Sequence, residues 1–135
     1  MTHPERDGWT WVLAIFGVGN LANGIWMLAS PPSWYRLLPA AVPDFGPLNE
    51  HFVRDIGSAF SALGASLVWA AFSPKLRVGA IGVALAFNAL HAMVHVYDTA
   101  SGRVSSQHWL IDLVPVYFPV AILAVALRAA VRAPA

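Results

Sequence analysis

The sequence predicts an all-α polytopic membrane protein, a four-helix transmembrane bundle with both termini cytoplasmic. Composition is the first reason, because 58% of the 135 residues are hydrophobic and only 11% are charged. The mean hydropathy of +0.61 agrees. The second reason is four apolar stretches, each near the roughly 20 residues that cross about 30 Å of hydrocarbon. We expect helices at about 9–30, 52–72, 76–97 and 109–127, in a single domain covering 1–135.

The first stretch is expected to be a retained helix and not a signal peptide, because two acidic residues flank Arg6 and no small-residue cleavage site follows. The loop at 31–50 then carries five prolines, which deny a continuous helix. Trp34 and Tyr35 within it are placed to lie at the membrane interface. We expect this Pro-rich loop to fold across the outer mouth of the bundle.

The later elements are joined by shorter connections. Residues 73–75 form a tight turn, and the polar segment 99–107 makes the third and fourth helices antiparallel neighbours. Pro115 and Pro119 are expected to kink the fourth helix. Glycines in the first three helices are expected to allow close helix packing, namely Gly17, Gly24, Gly57, Gly64, Gly79 and Gly82.

Basic residues favour one orientation of this topology. With cytoplasmic termini, five of the eight lie inside, which agrees with the positive-inside rule. The inside set is Arg6, Lys75, Arg77, Arg128 and Arg132, and the outside set is Arg36, Arg54 and Arg103.

Histidine and aspartate side chains cluster at the outer ends of three helices. The clusters are His51 with Asp55, then His91 with His95 and Asp98, then His108 with Asp112. Spacings of three, four and seven residues keep each cluster on one helix face. The topology brings them to a similar depth, with the second and fourth helices' aspartates roughly 6 Å inside. Because an intramembrane carboxylate costs about 2.5 to 3.5 kcal/mol, a compensating partner is expected, and a metal ion is the simplest.

These clusters predict a metal site in the outer half of the bundle. The predicted ligands are His51, Asp55, His91, His95 and Asp112, and the predicted accessory residues are Asn23, Asn88, Asp98, His108 and Glu50. The chain has no Cys, so nitrogen and oxygen ligands suit zinc, iron, manganese or copper. The set exceeds the needs of one tetrahedral ion, so either two ions bind or some members orient the ligands. An open metal position would make a small membrane metalloenzyme, although the sequence leaves catalysis open.

Other functions remain open. One is a non-catalytic accessory subunit of a larger membrane complex, favoured by the small size of the chain. Another is haem b held by two histidines, against which the three nearby aspartates argue. Transport is opposed by the nearly uncharged inner halves of the helices. The net charge of +1 offers no basic surface for nucleic acid. The expected partners are the lipid bilayer and either a homo-oligomer or a larger complex.

The segment NEHFVRDIG at 49–57, together with the Gly-rich first helix and the Pro-rich loop, resembles small four-helix bacterial membrane proteins of the DoxX-like type. The resemblance covers the whole four-helix layout. It implies a multi-pass location in the bacterial cytoplasmic (inner) membrane and a left-handed bundle. It implies no substrate and no catalytic residue. With the topology above, the site is expected near the extracytoplasmic face.

Overall fold

The computed structural model describes residues 7–133, which are largely helical and contain no strand. Four segments are long and apolar enough to cross a membrane: Gly8–Ala29, Glu50–Phe72, Pro74–Ala100 and Leu113–Arg132. The predicted fold class is confirmed at this level. Because the chain crosses four times, the first and last described residues lie on the same side of the bundle, here called the terminal end. The opposite side is called the loop end. Arg6, which was counted toward the orientation, lies outside the described residues.

The helices are named in chain order. They are α1 (Gly8–Ala29), α2 (Pro31–Leu37), α3 (Glu50–Phe72), α4 (Arg77–Ala100), α5 (His108–Ile111) and α6 (Phe118–Arg132). Short 3₁₀ turns lie at Val42–Phe45 and Pro74–Leu76, and a π-helical turn at Leu113–Tyr117 joins α5 to α6.

Glycines allow α1 and α3 to pack with their backbones nearly in contact. A Cβ added to Gly17 would lie 2.8 Å from the amide nitrogen of Val68, and one added to Gly57 would meet α1 at 2.7 Å. Gly24 and Gly64 are equally crowded. By contrast, a Cβ on Gly79 or Gly82 would meet nothing within 4 Å. The predicted packing role therefore holds for Gly17, Gly24, Gly57 and Gly64 and is wrong for the two glycines of α4.

The terminal half of the bundle is an apolar core closed by Arg77. The core side chains come from all four long helices: Leu13, Leu67, Ala71, Ile81, Ala84, Leu123 and Ala126. Arg77 donates hydrogen bonds to the Asp7 carboxylate at 2.7 and 3.1 Å and to the Ala71 carbonyl oxygen at 3.1 Å. Asp7 caps α1 by accepting from the amide of Thr10 at 2.8 Å. One guanidinium thus joins the start of α1, the end of α3 and the start of α4.

The Pro-rich loop contains a helix that the sequence did not predict. α2 begins at Pro31 and Pro32, because the first helical positions need no backbone N–H. Trp34 on α2 donates its indole N–H to the side-chain oxygen of Asn23 at 2.9 Å. The Tyr35 hydroxyl donates to the carbonyl oxygen of Gly46 at 2.7 Å. These bonds fold the loop back against the loop end of the bundle.

The fourth membrane segment is irregular at its prolines. Neither Pro115 nor Pro119 has an N–H to donate, and the amides of Val116 and Tyr117 both donate to the Asp112 carbonyl oxygen, at 3.0 and 3.1 Å. The second of these is the i to i−5 bond of a π-helix. The irregular turn starts directly after Asp112.

Candidate functional site

Asp112 is the centre of a buried polar network at the loop end. Its carboxylate is fully buried. Nδ1 of His95 lies 2.9 Å from its Oδ2, and Nδ1 of His108 lies 3.4 Å from Oδ1 and from Oδ2. A buried carboxylate without partners costs several kcal/mol, so these contacts stabilise it. For both imidazoles to donate, each must carry its proton on Nδ1.

The Pro-rich loop completes this network. Oδ2 of Asp44 lies 3.2 Å from Nε2 of the fully buried His108, whereas the Asp44 side chain is 54% exposed. Phe45 packs edge-on against two imidazoles, with its ring centroid 4.7 Å from those of His95 and His108. The network therefore extends from the solvent-exposed loop to the buried Asp112.

His91 extends the cluster one helical turn deeper. Its ring centroid lies 4.6 Å from that of His95, and the rings of Phe60 and Phe87 flank it at 6.3 and 6.2 Å. Among residues 7–133, no side chain or backbone group forms a hydrogen bond with the ring nitrogens of His91 or with Nε2 of His95. Each of these two neighbouring imidazoles thus has one ring nitrogen available to a ligand.

Two of the predicted ligands are not part of this network. His51 and Asp55 lie 3.4 Å apart at the surface of α3, with side chains 89% and 62% exposed. Their helix face turns outward because the opposite face, with Gly57 and Gly64, is buried against α1. Glu50, predicted as accessory, instead forms an exposed ion pair with Arg54 at 3.0 Å. The structure therefore reduces the predicted ligands at this cluster to His91, His95 and Asp112.

The other accessory residues have different outcomes. Asn23 accepts from the indole of Trp34, and the buried Asn88 donates to the Ala84 carbonyl oxygen at 2.8 Å, so both are occupied elsewhere. Asp98 lies 3.7 Å from Arg103. These two residues line a cavity of about 100 Å³ together with Asp44, Phe45 and Val104. Asp98 thus borders the network, whereas His108 is a member of it.

Sequence reasoning missed Asp44 and Phe45. The only available signal was the prediction that the Pro-rich loop covers the outer mouth, and an acidic residue in a covering loop could have been included on that ground.

Two buried hydroxyls, of Thr99 and Tyr117, also have no hydrogen-bond partner within the described chain. Tyr117 ends the π-helical turn that follows Asp112.

The cluster carries nitrogen donors of the type that bind metal ions, but not a complete set of ligands. Across residues 7–133, no group of three or more His, Cys, Asp or Glu side chains is arranged to hold an ion by itself. His91 and His95, however, have the i, i+4 spacing with which two histidines on one helix bind zinc. Asp112 contacts Nδ1 of His95, as do the carboxylates that orient metal-binding imidazoles. The arrangement therefore offers two imidazole groups on one helix face, one of them oriented by a buried carboxylate.

No family model matches this chain, and no similar curated protein or solved structure was found. The resemblance to DoxX-like proteins therefore stays a prediction, and the function has to be inferred from the site itself.

Proposed function

We propose that this protein is an integral protein of the bacterial inner membrane that binds one transition metal ion through His91 and His95. One observation carries the proposal: Asp112 holds Nδ1 of His95 at 2.9 Å, which leaves Nε2 of that imidazole free beside His91. The proposed ligand set is smaller than the set predicted from the sequence, because the exposed His51 and Asp55 contact each other instead.

The remaining network supports the ligands. A carboxylate that accepts from Nδ1–H fixes the tautomer and orientation of an imidazole and raises the basicity of its other nitrogen. Asp112 is itself held by His108, which in turn contacts Asp44. Loss of such supporting groups typically weakens metal affinity about 10- to 100-fold. This series of contacts, from Asp44 through His108 and Asp112 to His95, thus orients the His95 imidazole to bind a cation.

The donor set narrows the choice of ion. Imidazole ligands suit zinc, copper and iron, whereas manganese favours carboxylate and water oxygens. Two protein nitrogens would leave two positions of a tetrahedral ion for water, a substrate or a group from another protein. Phe45, Phe60 and Phe87 contact the histidines and give the site an apolar wall. An open position fits either a small metalloenzyme or a metal-carrying accessory subunit.

We place the site near the extracytoplasmic face. The terminal end carries Lys75 and Arg77 between α3 and α4, and Arg128 and Arg132 at the end of α6. This bias in basic residues favours a cytoplasmic terminal end. Because the chain has no native cysteine, labelling with a membrane-impermeant maleimide tests the orientation directly. A cysteine at Ser105 should react from outside intact spheroplasts, and one at Lys75 should not; the reverse pattern would invert the topology.

Elemental analysis tests metal binding. Protein purified in mild detergent without chelator should carry close to one transition metal ion per chain, and His91→Ala should lose most of it. His51→Ala is the matched control, because that imidazole is 89% exposed and outside the network, so this variant should keep its metal. Metal-free wild-type protein, or equal loss in both variants, contradicts the proposal. A Soret absorption band in the same sample would favour haem.

A further inference from the structure

The outward face of α3 differs from the outward faces of the other membrane helices. At i, i+4 and i+7 spacings, α1 exposes large apolar side chains, among them Trp11, Ile15 and Val18. Along α3 the exposed residues at the same spacing are polar or small: His51, Asp55, Ser58, Ala62 and Ala65. We call these five residues the α3 stripe. Large exposed apolar residues occur on α3 only at its ends, at Phe52, Trp69 and Phe72.

Lipid is a poor neighbour for the α3 stripe. Asp55 lies one turn inside the helix and its side chain is 62% exposed, with His51 as its contact at 3.4 Å. An ionisable group that faces hydrocarbon is costly, and such groups normally face protein or a water-filled cavity. The small side chains that follow are typical of positions where two membrane helices approach closely. Both observations indicate that protein covers this face.

We propose that the α3 stripe is the interface of a homodimer. The stripe advances by alternating steps of four and three residues, which is the 3.5-residue period of left-handed helix pairs. A two-fold axis along the membrane normal pairs the stripe with itself, so every contact is made twice. His51 and Asp55 supply both a donor and a carboxylate within one turn, and two copies can exchange these groups. This charge self-complementarity selects a second copy of the chain as the partner.

The proposal stands apart from metal binding, because none of the stripe residues belongs to the Asp112 network. It also accounts for the two predicted ligands that the network excludes. His51 and Asp55 would stabilise the assembly, while His91 and His95 bind the ion.

Cysteine cross-linking in native membranes tests the interface. The chain contains no cysteine, so single substitutions report without background. Ala62→Cys and Ala65→Cys should form disulfide-linked dimers under mild oxidant, since their Cα atoms should approach within the roughly 7 Å that a disulfide requires. Val18→Cys and Ile25→Cys, which are exposed on α1, are the matched controls and should stay monomeric. Equal cross-linking at both helices, or none at α3, would overturn the proposal.

Dimer affinity in liposomes supplies a second measurement that needs no cysteine at the interface. Energy transfer between labelled copies should show a reversible dimer, and Asp55→Ala should weaken it roughly three- to thirty-fold, the range for a polar contact between membrane helices. Glu50→Ala, which removes an exposed ion pair outside the stripe, should leave the affinity unchanged. A monomeric wild-type protein, or one that associates only with a different protein, would refute the homodimer.

Discussion

One added methyl group at Gly64 tests how closely α1 and α3 are packed. In Gly64→Ala, the new Cβ would lie 2.7 Å from the carbonyl oxygen of Gly17 and 2.9 Å from the Cα of Leu21, and nearer still to the Leu21 amide nitrogen. Ordinary contacts of a Cβ begin at 3.4 Å, so the helices must separate by about 0.7 Å at the carbonyl oxygen alone. Because the obstacles are backbone atoms, no side-chain rotation can relieve the contact.

Separating the two helices weakens the dispersion contacts between them. A gap of about 0.5 to 1 Å forfeits a quarter to a half of each dispersion contact, and overpacking of this kind costs about 1 to 3 kcal/mol. We expect the free energy of unfolding of Gly64→Ala to fall by about 2 kcal/mol.

Reversible unfolding in mixed micelles, followed by tryptophan fluorescence, measures this difference. Gly19→Ala is the matched control, because it lies on α1 with nothing within 4 Å of the added Cβ. The control should be neutral or more stable by up to about 1 kcal/mol, since alanine has the higher helix propensity. Equal stability of the two variants would refute the close packing of α1 against α3.

Three further predictions concern polar contacts. Arg77→Ala should lower the unfolding free energy by about 1 kcal/mol, a value discounted for the half-exposed Asp7 carboxylate. The hydrogen bond from Arg77 lowers the pKa of Asp7 from 3.8 to about 2, so the stability that Asp7 contributes should be constant above about pH 5 and fall towards pH 2. Unfolding curves across that range should show the fall much reduced in Arg77→Ala, and an unchanged pH dependence would contradict the assignment. Asp112→Asn should weaken metal affinity about 10- to 100-fold by competition titration, and unaltered affinity would remove the supporting role of this carboxylate. Trp34→Phe should lower the thermal midpoint through loss of the bond to Asn23, worth about 0.5 to 1.5 kcal/mol, whereas an unchanged midpoint would show that the bond adds nothing to stability.

Much of the fold could be predicted because membrane-spanning helices obey a length rule. The stretch expected at 9–30 is the helix Gly8–Ala29, and the stretch at 52–72 is contained in Glu50–Phe72. The last segment was harder to predict, since Pro115 interrupts it with a π-helical turn that hydropathy does not register. α2 was missed because Pro31 and Pro32 were read as helix breakers, although proline is tolerated at a helix start.

The candidate site was predictable only in part. His91 and His95 share a face through their spacing along one helix, so the sequence alone places them together. The contact of His95 with Asp112 needed α4 and α5 to be neighbours, which the short connection between them indicated. Asp44 could not have been assigned, because its position depends on how an irregular loop folds over the bundle.

The sequence by itself determined that this protein has four membrane helices and that its clusters of histidine and aspartate lie at one end. Both properties are local, since they follow from segment length and from spacing along a helix. The tertiary structure alone decided which polar groups meet. α3 is fixed in rotation by Gly57 and Gly64 against α1, and this turns His51 and Asp55 away from the Asp112 network. Helix rotation depends on packing between distant segments, so no pattern within a single helix reveals it.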